Sequence, residues 1–578
     1  MSRNSPFDFR NVNALWGSVF VETLVRLGLR YAVISPGSRS TPLTVQLAKH
    51  PAIEAIPVLD ERSAAFFAIG LARQTQLPVL LLCTSGTAGA NYFPAVIEAR
   101  ESGVPLLVVT ADRPPEMREC RSGQTIDQQK LFGSHVNFYH EFAVPEASVP
   151  TLRYLRQTLV HAWQRAQSSG GGPVHLNAPF RDPLPPVADQ LAGKLTLELN
   201  QKFFAGIEAS ARQPAQRVSS VRFSGRGIIV VGQARPVDDR AYARAVGKLA
   251  RRLGWPVLAD ALSPLRNCAK EIPGLVTSYD LLARSDKMRS ALQPDQVLCL
   301  HDWPTSKALR QWLQASDVPV TFVTERLDNP DALHSRTRVL PTTVEALVTG
   351  KLSVRRAPSA WTRTWSEAGK NASRALKREL GRTDDRFEGH ASGLLPLALP
   401  AGTSVMLANS MPVRDAEYFW PANNRAHRVH CNRGANGIDG TLSTALGLAH
   451  RGSPTVLLTG DLALLHDTNG FLLTRKFKGS LTVLLINNNG GGIFEHLPVA
   501  EFQPPFEEFF ATPQFIDFKQ LCATYGVSHR VVRNRAHLER LLRQLPVRGV
   551  RVLEIPTDRK RDAAFRKASF SRLAARLG

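Results

Sequence analysis

The sequence has few of the features that mark exported, disulfide-bonded or membrane-spanning proteins. Its six cysteines are scattered along 578 residues without a Cys-x-x-Cys pair, which predicts reduced thiols in the core rather than disulfides or a zinc site. No apolar run approaches the roughly 20 residues of a transmembrane helix. The N-terminal residues MSRNSPFDFRNVN lack the basic and then apolar regions of a secretory signal. We therefore expect a soluble, cytoplasmic protein.

Acidic residues are scarce relative to basic ones. Lys and Arg number 72 against 49 Asp and Glu, which gives a formal net charge of +23 and raises the hypothesis of a basic scaffold for nucleic acid or membrane. The excess is spread along the chain, so we expect no nucleic-acid partner. Its densest stretch is the C-terminal DRKRDAAFRKASFSRLAARLG, where apolar and basic residues interleave. This pattern predicts an amphipathic closing helix, and we favour a solvated position over contact with a membrane surface.

Short apolar runs alternate with helical patterns throughout the chain. Residues 31–35, 78–84 and 105–111 read YAVIS, PVLLLCT and PLLVVTA. Runs that are apolar at every position are typical of parallel strands buried on both faces. We predict an α/β fold of three consecutive doubly wound domains with mainly parallel sheets. The predicted domains are residues 1–188, 189–360 and 361–578, with a proline-rich linker near residues 179–190.

Two polar residues follow neighbouring predicted strands in the third domain. Asp461 follows the strand SPTVLLTG, and Asn488 lies at the end of the next strand, LTVLLINNN. Ligands in open α/β sheets bind at the carboxyl ends of strands, so the two side chains are candidates for one site. Their oxygens, with a backbone carbonyl, suit octahedral Mg²⁺. Taken alone, the pair is equally consistent with ordinary turns.

The surrounding segments are more specific. GDLALLHDTNG (460–470) and LLINNNGGG (484–492) together resemble the diphosphate-binding motif of thiamine-diphosphate enzymes. The resemblance implies that Asp461, Asn488 and the carbonyl of Gly490 hold Mg²⁺, or Mn²⁺ in its place, against the cofactor's diphosphate. It implies a thiamine-diphosphate-binding fold, in which the first domain binds the pyrimidine and the third binds the diphosphate and Mg²⁺.

Glu61 lies between a predicted strand and a helix in VLDERSAAFFAIGLA. A carboxylate at this position often caps the helix N-terminus, which is one interpretation. The resemblance implies another, in which Glu61 contacts the cofactor's aminopyrimidine ring and drives its tautomerisation. Burial among apolar neighbours would raise the pKa of this carboxyl and suit it to proton exchange. Since Glu61 and Asp461 belong to different subunits in the resembled superfamily, we expect a homodimer or homotetramer with active sites at the subunit interface.

Several longer motifs resemble one family, the 2-succinyl-5-enolpyruvyl-6-hydroxy-3-cyclohexene-1-carboxylate synthases of menaquinone and phylloquinone biosynthesis. The motifs are ISPGSRSTPL (34–43), CTSGTAGANYFPAVIEA (83–99), TADRPPEMRECRSGQTIDQQKLFG (110–133), NSMPVRD (409–415), NRGANGIDG (432–440) and NNNGGGIFEHLP (487–498). The resemblance implies a carboligase that decarboxylates 2-oxoglutarate and adds the succinyl unit to isochorismate. Both substrates are dicarboxylates, and arginine forks bind carboxylates with two hydrogen bonds.

The family motifs carry the remaining candidate residues. We expect Arg414 and Arg433 to face the carboxylates of 2-oxoglutarate. On the isochorismate side we expect Ser38, Arg39 and Arg113. The resemblance also implies a catalytic role for Gln124 and substrate contacts from Asn409, Ser410 and Lys307. It assigns three apolar residues to the cofactor or the succinyl chain, namely Ile438, Phe494 and Leu497.

Two rival functions are weighed against this one. A related carboligase or decarboxylase, such as an acetolactate synthase, would take small monocarboxylic keto acids and in some cases bind FAD. The arginine-rich motifs favour dicarboxylates instead, and no G-x-G-x-x-G fingerprint is present. A catalytically silent basic scaffold would explain the net charge of +23 but not the set of Glu61, Asp461 and Asn488.

Overall fold

The computed structural model describes residues 6–168, 170–189, 191–196, 198–208 and 221–577. In this part of the chain the strands form three six-stranded sheets and one two-stranded pair, and every pairing is parallel. The predicted α/β fold with parallel sheets is confirmed. The chain divides into two compact units. Unit 1 is Met1–Gln213, Asn432–Gly452 and Asp467–Lys478, and unit 2 is Pro214–Cys431, Ser453–His466 and Gly479–Gly578.

The first sheet lies in unit 1. Its strands are β1 (Tyr31–Ile34), β2 (Glu54–Pro57), β3 (Val79–Cys83), β4 (Leu106–Asp112), β5 (Phe138–Glu141) and β6 (Pro173–Pro179). Their spatial order is β2-β1-β3-β4-β6-β5. The associated helices are α1 (Val12–Arg26), α2 (Thr41–Lys49), α3 (Glu61–Thr75), α4 (Thr87–Asn91), α5 (Phe93–Ser102) and α6 (Val149–Gln167). Strands β3 and β4 are buried at every position, as the uninterrupted apolar runs predict.

The second sheet lies in unit 2. The strands of this region are β7 (Val221–Phe223), β8 (Gly227–Val231), β9 (Val257–Ala259), β10 (Leu275–Val276), β11 (Gln296–Leu300), β12 (Pro319–Thr324), β13 (Arg336–Pro341) and β14 (Leu352–Val354). The sheet has the order β10-β9-β8-β11-β12-β13, while β7 pairs with β14. The helices are α7 (Asp239–Leu253), α8 (Tyr279–Ala283), α9 (Asp286–Ala291), α10 (Lys307–Ser316), α11 (Val344–Thr349) and α12 (Ser359–Leu380).

The third sheet, also in unit 2, carries the predicted metal motif. Its strands are β15 (Ser404–Leu407), β16 (Arg428–Cys431), β17 (Thr455–Gly460), β18 (Ser480–Asn487), β19 (Ser528–Val531) and β20 (Gly549–Pro556). Their order is β16-β15-β17-β18-β20-β19, so β17 and β18 are neighbours. The helices of this part of unit 2 are α13 (Gly389–Ala398), α14 (Met411–Phe419), α16 (Asp461–Leu465), α17 (Phe518–Thr524), α18 (Arg535–Arg543) and α19 (Arg559–Leu577). Helix α15 (Thr441–Ala449), which lies between β16 and β17 in the chain, belongs to unit 1.

The C-terminal helix α19 is less solvated than its composition indicates. Phe570 and Leu573 are buried in the core of the second sheet, where each contributes about 1.5–3 kcal/mol relative to an exposed side chain. Arg566 is also buried. The prediction of a closing helix is confirmed, but a fully solvated position is wrong because the apolar face packs inside unit 2. That packing also leaves Phe570 and Leu573 unavailable to a membrane surface.

Two further sequence predictions can be compared with the structure. All six cysteines are free thiols, and all but Cys120 are buried. In the described part of the chain, no helix combines the length and apolar character needed to cross a membrane. The predicted linker ends at residue 190, which lies outside the described residues. The domain boundaries at residues 188 and 360 stay predictions.

Candidate active site

The ends of β17 and β18 bring the predicted metal ligands to one edge of the third sheet. Gly460 pairs with Ile486 in the register of the two strands, and Asp461 begins α16 directly afterwards. One carboxylate oxygen of Asp461 accepts a hydrogen bond from the backbone N–H of Gly490, at 2.8 Å. The other accepts from the N–H of Leu462, also at 2.8 Å. Asp461 therefore lies against the loop that follows β18.

The side chain of Asn488 has a buried oxygen that accepts no hydrogen bond from the described residues. It is 7% exposed, and its Nδ2 donates to Oε2 of Glu388 at 2.9 Å. Its Oδ1 is buried and has no hydrogen-bond partner among the described residues. An unpaired buried acceptor costs about 1–3 kcal/mol, so such an oxygen calls for a ligand. A hard cation such as Mg²⁺ would satisfy it.

Gly490, whose carbonyl is the third predicted metal ligand, lies in a tightly packed loop. Its φ is +135°, and a Cβ at this position would lie 2.4 Å from the carbonyl oxygen of Ala511. Only glycine allows this close approach of the two segments. Burial raises the pKa of Asp461 to about 6, and the neighbouring charge of Glu388 acts in the same direction. A bound cation would offset both effects, so the oxygens of Asp461, Asn488 and Gly490 fit a divalent metal.

Glu61 is the first residue of α3 in unit 1. The capping role belongs to its neighbour, because the carboxylate of Asp60 accepts from the N–H of Ser63 at 3.0 Å. Glu61 is half-buried. Burial raises the pKa of Glu61, and the charge of Asp60 adds to the rise. Asp60, and not Glu61, is therefore the N-cap residue of α3, and Glu61 is the acidic residue of its first turn.

The segment around α15 supports α3 within unit 1. Asn469 donates to the second oxygen of Asp60 at 2.7 Å. The fully buried carboxylate of Asp467 accepts from the N–H and the hydroxyl of Ser443, at 2.7 and 2.9 Å. The two helices cross closely, since a Cβ on Gly447 would lie 2.1 Å from the carbonyl oxygen of Phe67. These contacts set the position of the helix that begins with Glu61.

A second group of predicted residues forms a basic cluster in unit 1. Arg113 donates to the hydroxyl of Ser85 and, at 2.9 Å, to the carbonyl of Gln124. The side chain of Gln124 donates in turn to the carbonyl of Ser85, at 3.0 Å. Arg39 is buried and donates to the carbonyl of Phe180 at 2.9 Å. Burial and the charge of Arg39 lower the pKa of Arg113. The carboxylate of Asp182 lies 3.9 Å from Arg39 and offsets part of this positive charge. The cluster remains a candidate site for an anionic ligand because arginine binds carboxylates well.

A third group surrounds the start of α14 in unit 2. Ser410 has a φ of +68°, a conformation that costs a non-glycine residue about 1–3 kcal/mol and is typical of functional sites. Its carbonyl accepts a hydrogen bond from Arg414, one turn later, at 2.6 Å. Asn409 is buried and accepts from the thiol of Cys431 at 3.5 Å. The motif NSMPVRD is therefore a strained, buried turn that presents an arginine.

The chain is similar to known thiamine pyrophosphate enzymes in three successive regions. Three family models match: the N-terminal TPP binding domain of thiamine pyrophosphate enzymes at residues 16–131, the middle domain at 198–388 and the C-terminal TPP binding domain at 411–555. The 2-succinyl-5-enolpyruvyl-6-hydroxy-3-cyclohexene-1-carboxylate synthase of Trichormus variabilis is 53% identical over 99% of both chains. The synthase of Synechococcus sp. JA-3-3Ab is 52% identical and covers 98% of this chain and 97% of its own.

The chain belongs to the 2-succinyl-5-enolpyruvyl-6-hydroxy-3-cyclohexene-1-carboxylate synthase family. Among solved structures, benzoylformate decarboxylase from Polynucleobacter necessarius matches with a TM-score of 0.65 over 94% of this chain and 98% of its own, at 17% identity. That likeness concerns the fold alone. The resemblance to the synthase family and the thiamine-diphosphate-binding fold are thus both confirmed.

The remaining residues that the resemblance to the synthase family singles out lie on several different elements of the chain. Arg433 is half-buried in the NRGANG loop, which Glu98 holds by accepting from the N–H of Ala435 at 2.8 Å. Ile438, farther along this motif, is also half-buried. Lys307 is exposed at the first position of α10. The roles of these residues stay predictions.

Three other members of the family motifs differ in exposure. Phe494 is half-buried, with its ring centroid 5.9 Å from that of Phe510. Leu497 is 41% exposed, and Ser38 is exposed beside the basic cluster. Sequence reasoning missed Glu388, the partner of Asn488, because it lies outside every recognised motif. Asp467 and Asn469 could have been identified from the sequence, since both belong to the motif GDLALLHDTNG.

Proposed function

We propose that this chain is a thiamine-diphosphate-dependent transferase that decarboxylates 2-oxoglutarate and adds the succinyl unit to isochorismate. The product is 2-succinyl-5-enolpyruvyl-6-hydroxy-3-cyclohexene-1-carboxylate, an intermediate of menaquinone or phylloquinone biosynthesis. The observation that carries the proposal is the full-length identity of 53% with a relative of that name. The cofactors are thiamine diphosphate and a divalent cation, Mg²⁺ or Mn²⁺. The all-oxygen set around the unpaired Oδ1 of Asn488 supports the metal.

Each residue of the cofactor site has a proposed part. When bound, thiamine diphosphate supplies the electron sink through which a 2-oxo acid loses CO₂. Asp461, Asn488 and the carbonyl of Gly490 bind the metal that holds the diphosphate. Glu61 exchanges a proton with a nitrogen of the aminopyrimidine ring, and its raised pKa supports this role because burial favours the protonated form of the carboxyl.

The proposal extends to assembly and location. In the resembled superfamily the activating glutamate and the metal ligands of one site come from different subunits. We therefore propose a homodimer or homotetramer in which Glu61 of one subunit serves the Asp461 and Asn488 of another. A cytoplasmic location is part of the proposal, supported by six free thiols, which are typical of a reducing compartment.

Two arginine groups are proposed to divide the substrates. Arg414 and Arg433 are proposed to face 2-oxoglutarate, and Ser38, Arg39 and Arg113 are proposed to face isochorismate. Gln124 is proposed as a catalytic residue, and Asn409, Ser410 and Lys307 as further substrate contacts. The charge of Arg39 lowers the pKa of Arg113, while Asp112 and Asp182 act in the opposite direction. The two arginines support a carboxylate-bearing substrate there. Ile438, Phe494 and Leu497 are proposed as apolar walls for the cofactor or the succinyl chain.

Replacing Arg414 with alanine should weaken the binding of 2-oxoglutarate. The guanidinium is held over the turn by its bond to the Ser410 carbonyl, and losing a charged hydrogen bond costs about 1.5–3 kcal/mol. We expect the KM for 2-oxoglutarate to rise about tenfold to a hundredfold, with little change in the KM for isochorismate. The control is Arg363→Ala, which removes an equal charge from an exposed position on α12. Unchanged KM and kcat for Arg414→Ala would show that the assignment is wrong.

A direct assay tests the function as a whole. The protein is incubated with 2-oxoglutarate, isochorismate, thiamine diphosphate and Mg²⁺, and the succinylated adduct is sought by mass spectrometry. We expect the adduct only when all four are present. Release of CO₂ without an adduct would indicate a simple decarboxylase, and turnover of pyruvate in place of 2-oxoglutarate would indicate an acetolactate-synthase-like carboligase.

The silent-scaffold alternative has its own test. Thiamine diphosphate and Mg²⁺ together should raise the melting temperature of the protein, because a ligand that binds only the folded state stabilises it by mass action. Either compound alone should raise the melting temperature less than the two together. A protein that shows no shift and no saturable binding would contradict the enzyme function.

A further inference from the structure

Glu388 connects the predicted metal ligand Asn488 to the C-terminal helix. It is the N-cap residue of α13 and is 4% exposed. One carboxylate oxygen accepts from Nδ2 of Asn488 at 2.9 Å. The other lies 2.7 Å from Nη2 of Arg566 on α19. All three residues belong to unit 2, and no motif that identifies the family includes Glu388 or Arg566.

Arg566 also holds a second element of unit 2. Its Nε and Nη2 donate to the two carboxylate oxygens of Asp415, at 2.9 and 2.6 Å. Asp415 is a buried residue of α14 and directly follows Arg414. The backbone N–H of Glu388 donates to Asp562, another residue of α19, at 3.0 Å. One helix thus anchors both the residue that contacts Asn488 and the helix that carries Arg414.

The hydrogen bond from Asn488 to Glu388 determines which end of the amide faces the cofactor site. An amide has an oxygen that accepts and a nitrogen that donates, and a carboxylate can only accept. Glu388 therefore binds the NH₂ group and leaves Oδ1 directed away, buried and unpaired. A flipped amide would offer two N–H donors to the metal in place of an oxygen ligand.

We propose that Glu388 is a positioning residue for the cofactor's metal, and that Arg566 of α19 holds it in place. Glu388 orients the amide of Asn488 so that its oxygen is available to a divalent cation. The inference rests on the proposed function, because it takes Asn488 as a metal ligand. It gives the C-terminal basic segment a role inside the protein. Partners of this kind typically contribute about 10- to 100-fold in metal affinity.

The test is the Mg²⁺ dependence of thiamine-diphosphate binding, measured by calorimetry on the full chain. Glu388→Gln keeps the size of the side chain but offers an NH₂ group that favours the flipped amide of Asn488. We expect the Mg²⁺ concentration at half-saturation to rise about tenfold or more. The matched control is Glu379→Gln. Glu379 is also buried and accepts from Ser569 at 3.0 Å and from Arg572, both on α19, so its loss should lower the melting temperature without changing the Mg²⁺ dependence.

A compensating variant separates orientation from a purely structural effect. In Glu388→Gln combined with Asn488→Asp, the new glutamine amide donates to the new carboxylate, which keeps one oxygen for the metal. We expect this double variant to recover most of the Mg²⁺ affinity that Glu388→Gln loses. A double variant that binds no better than the single one would overturn the proposal. If Glu388→Gln does not fold, Arg566→Lys, which loses the fork between Glu388 and Asp415, should weaken Mg²⁺ binding in the same assay, and an unchanged affinity would overturn the proposal.

The outcomes distinguish this inference from the function on which it rests. A wild-type protein that does not bind thiamine diphosphate with Mg²⁺ would contradict the proposed function itself. A wild-type protein that binds normally, together with a Glu388→Gln variant of the same Mg²⁺ affinity, would refute only the role of Glu388.

Discussion

Glu61→Gln is expected to reduce kcat by about 100-fold or more while leaving thiamine diphosphate bound, since a positioned acid or base contributes about 10²–10⁴ to the rate. The glutamine keeps the shape of the side chain but cannot exchange a proton. Asp60, not Glu61, caps α3, so the helix should stay intact. The burial that raises the pKa of Glu61 also makes the carboxyl a suitable proton carrier.

Two measurements are needed for this variant. Calorimetric titration with thiamine diphosphate and Mg²⁺ should give nearly the wild-type affinity, while the rate of adduct formation from 2-oxoglutarate and isochorismate should show the loss of turnover. Glu22→Gln is the control, because Glu22 is another half-buried glutamate of unit 1 and its partners are Arg26 and His50. Wild-type turnover in Glu61→Gln would refute the activating role.

Asp461→Ala should abolish Mg²⁺-dependent binding of thiamine diphosphate. The change removes a charged metal ligand and also leaves the N–H of Gly490 without its acceptor. Since residues that merely support metal ligands typically contribute about 10- to 100-fold in affinity, losing the ligand itself should cost more. We expect no saturable binding at Mg²⁺ and cofactor concentrations that saturate the wild-type protein, and no rise in melting temperature.

The control for Asp461→Ala is a second aspartate at the same position of a helix. Asp239 begins α7 in unit 2 and pairs with Arg428 at 2.9 Å. Asp239→Ala removes the same charge from the first turn of a helix, so it should change stability but not the Mg²⁺ dependence. Normal cofactor binding by Asp461→Ala would mean that the metal, if present, is held elsewhere.

The predicted strands agree with the structure because their signal is local. An uninterrupted apolar run such as residues 78–84 has one stable environment, a strand covered on both faces, and β3 is buried throughout. The same signal placed Asp461 and Asn488 after neighbouring strands, and the two strands do pair.

Local patterns were less informative about polar side chains. Asp60 and Glu61 are adjacent acidic residues at a helix start, and only the geometry shows that Asp60 is the cap. In the C-terminal segment, interleaved apolar and basic residues predicted the helix but not the burial of Arg566. A buried arginine needs carboxylate partners, and those partners come from parts of the chain far away in sequence.

The sequence by itself determined the parallel α/β architecture and the family, and it singled out Asp461 and Asn488 as candidate ligands, because apolar runs and short motifs are properties of neighbouring residues. Only the tertiary structure decided how those ligands are oriented. Asn488 meets Glu388 across 100 positions of the chain, and Glu388 meets Arg566 on the last helix. Such contacts depend on how distant segments pack, and no periodicity or motif records that packing.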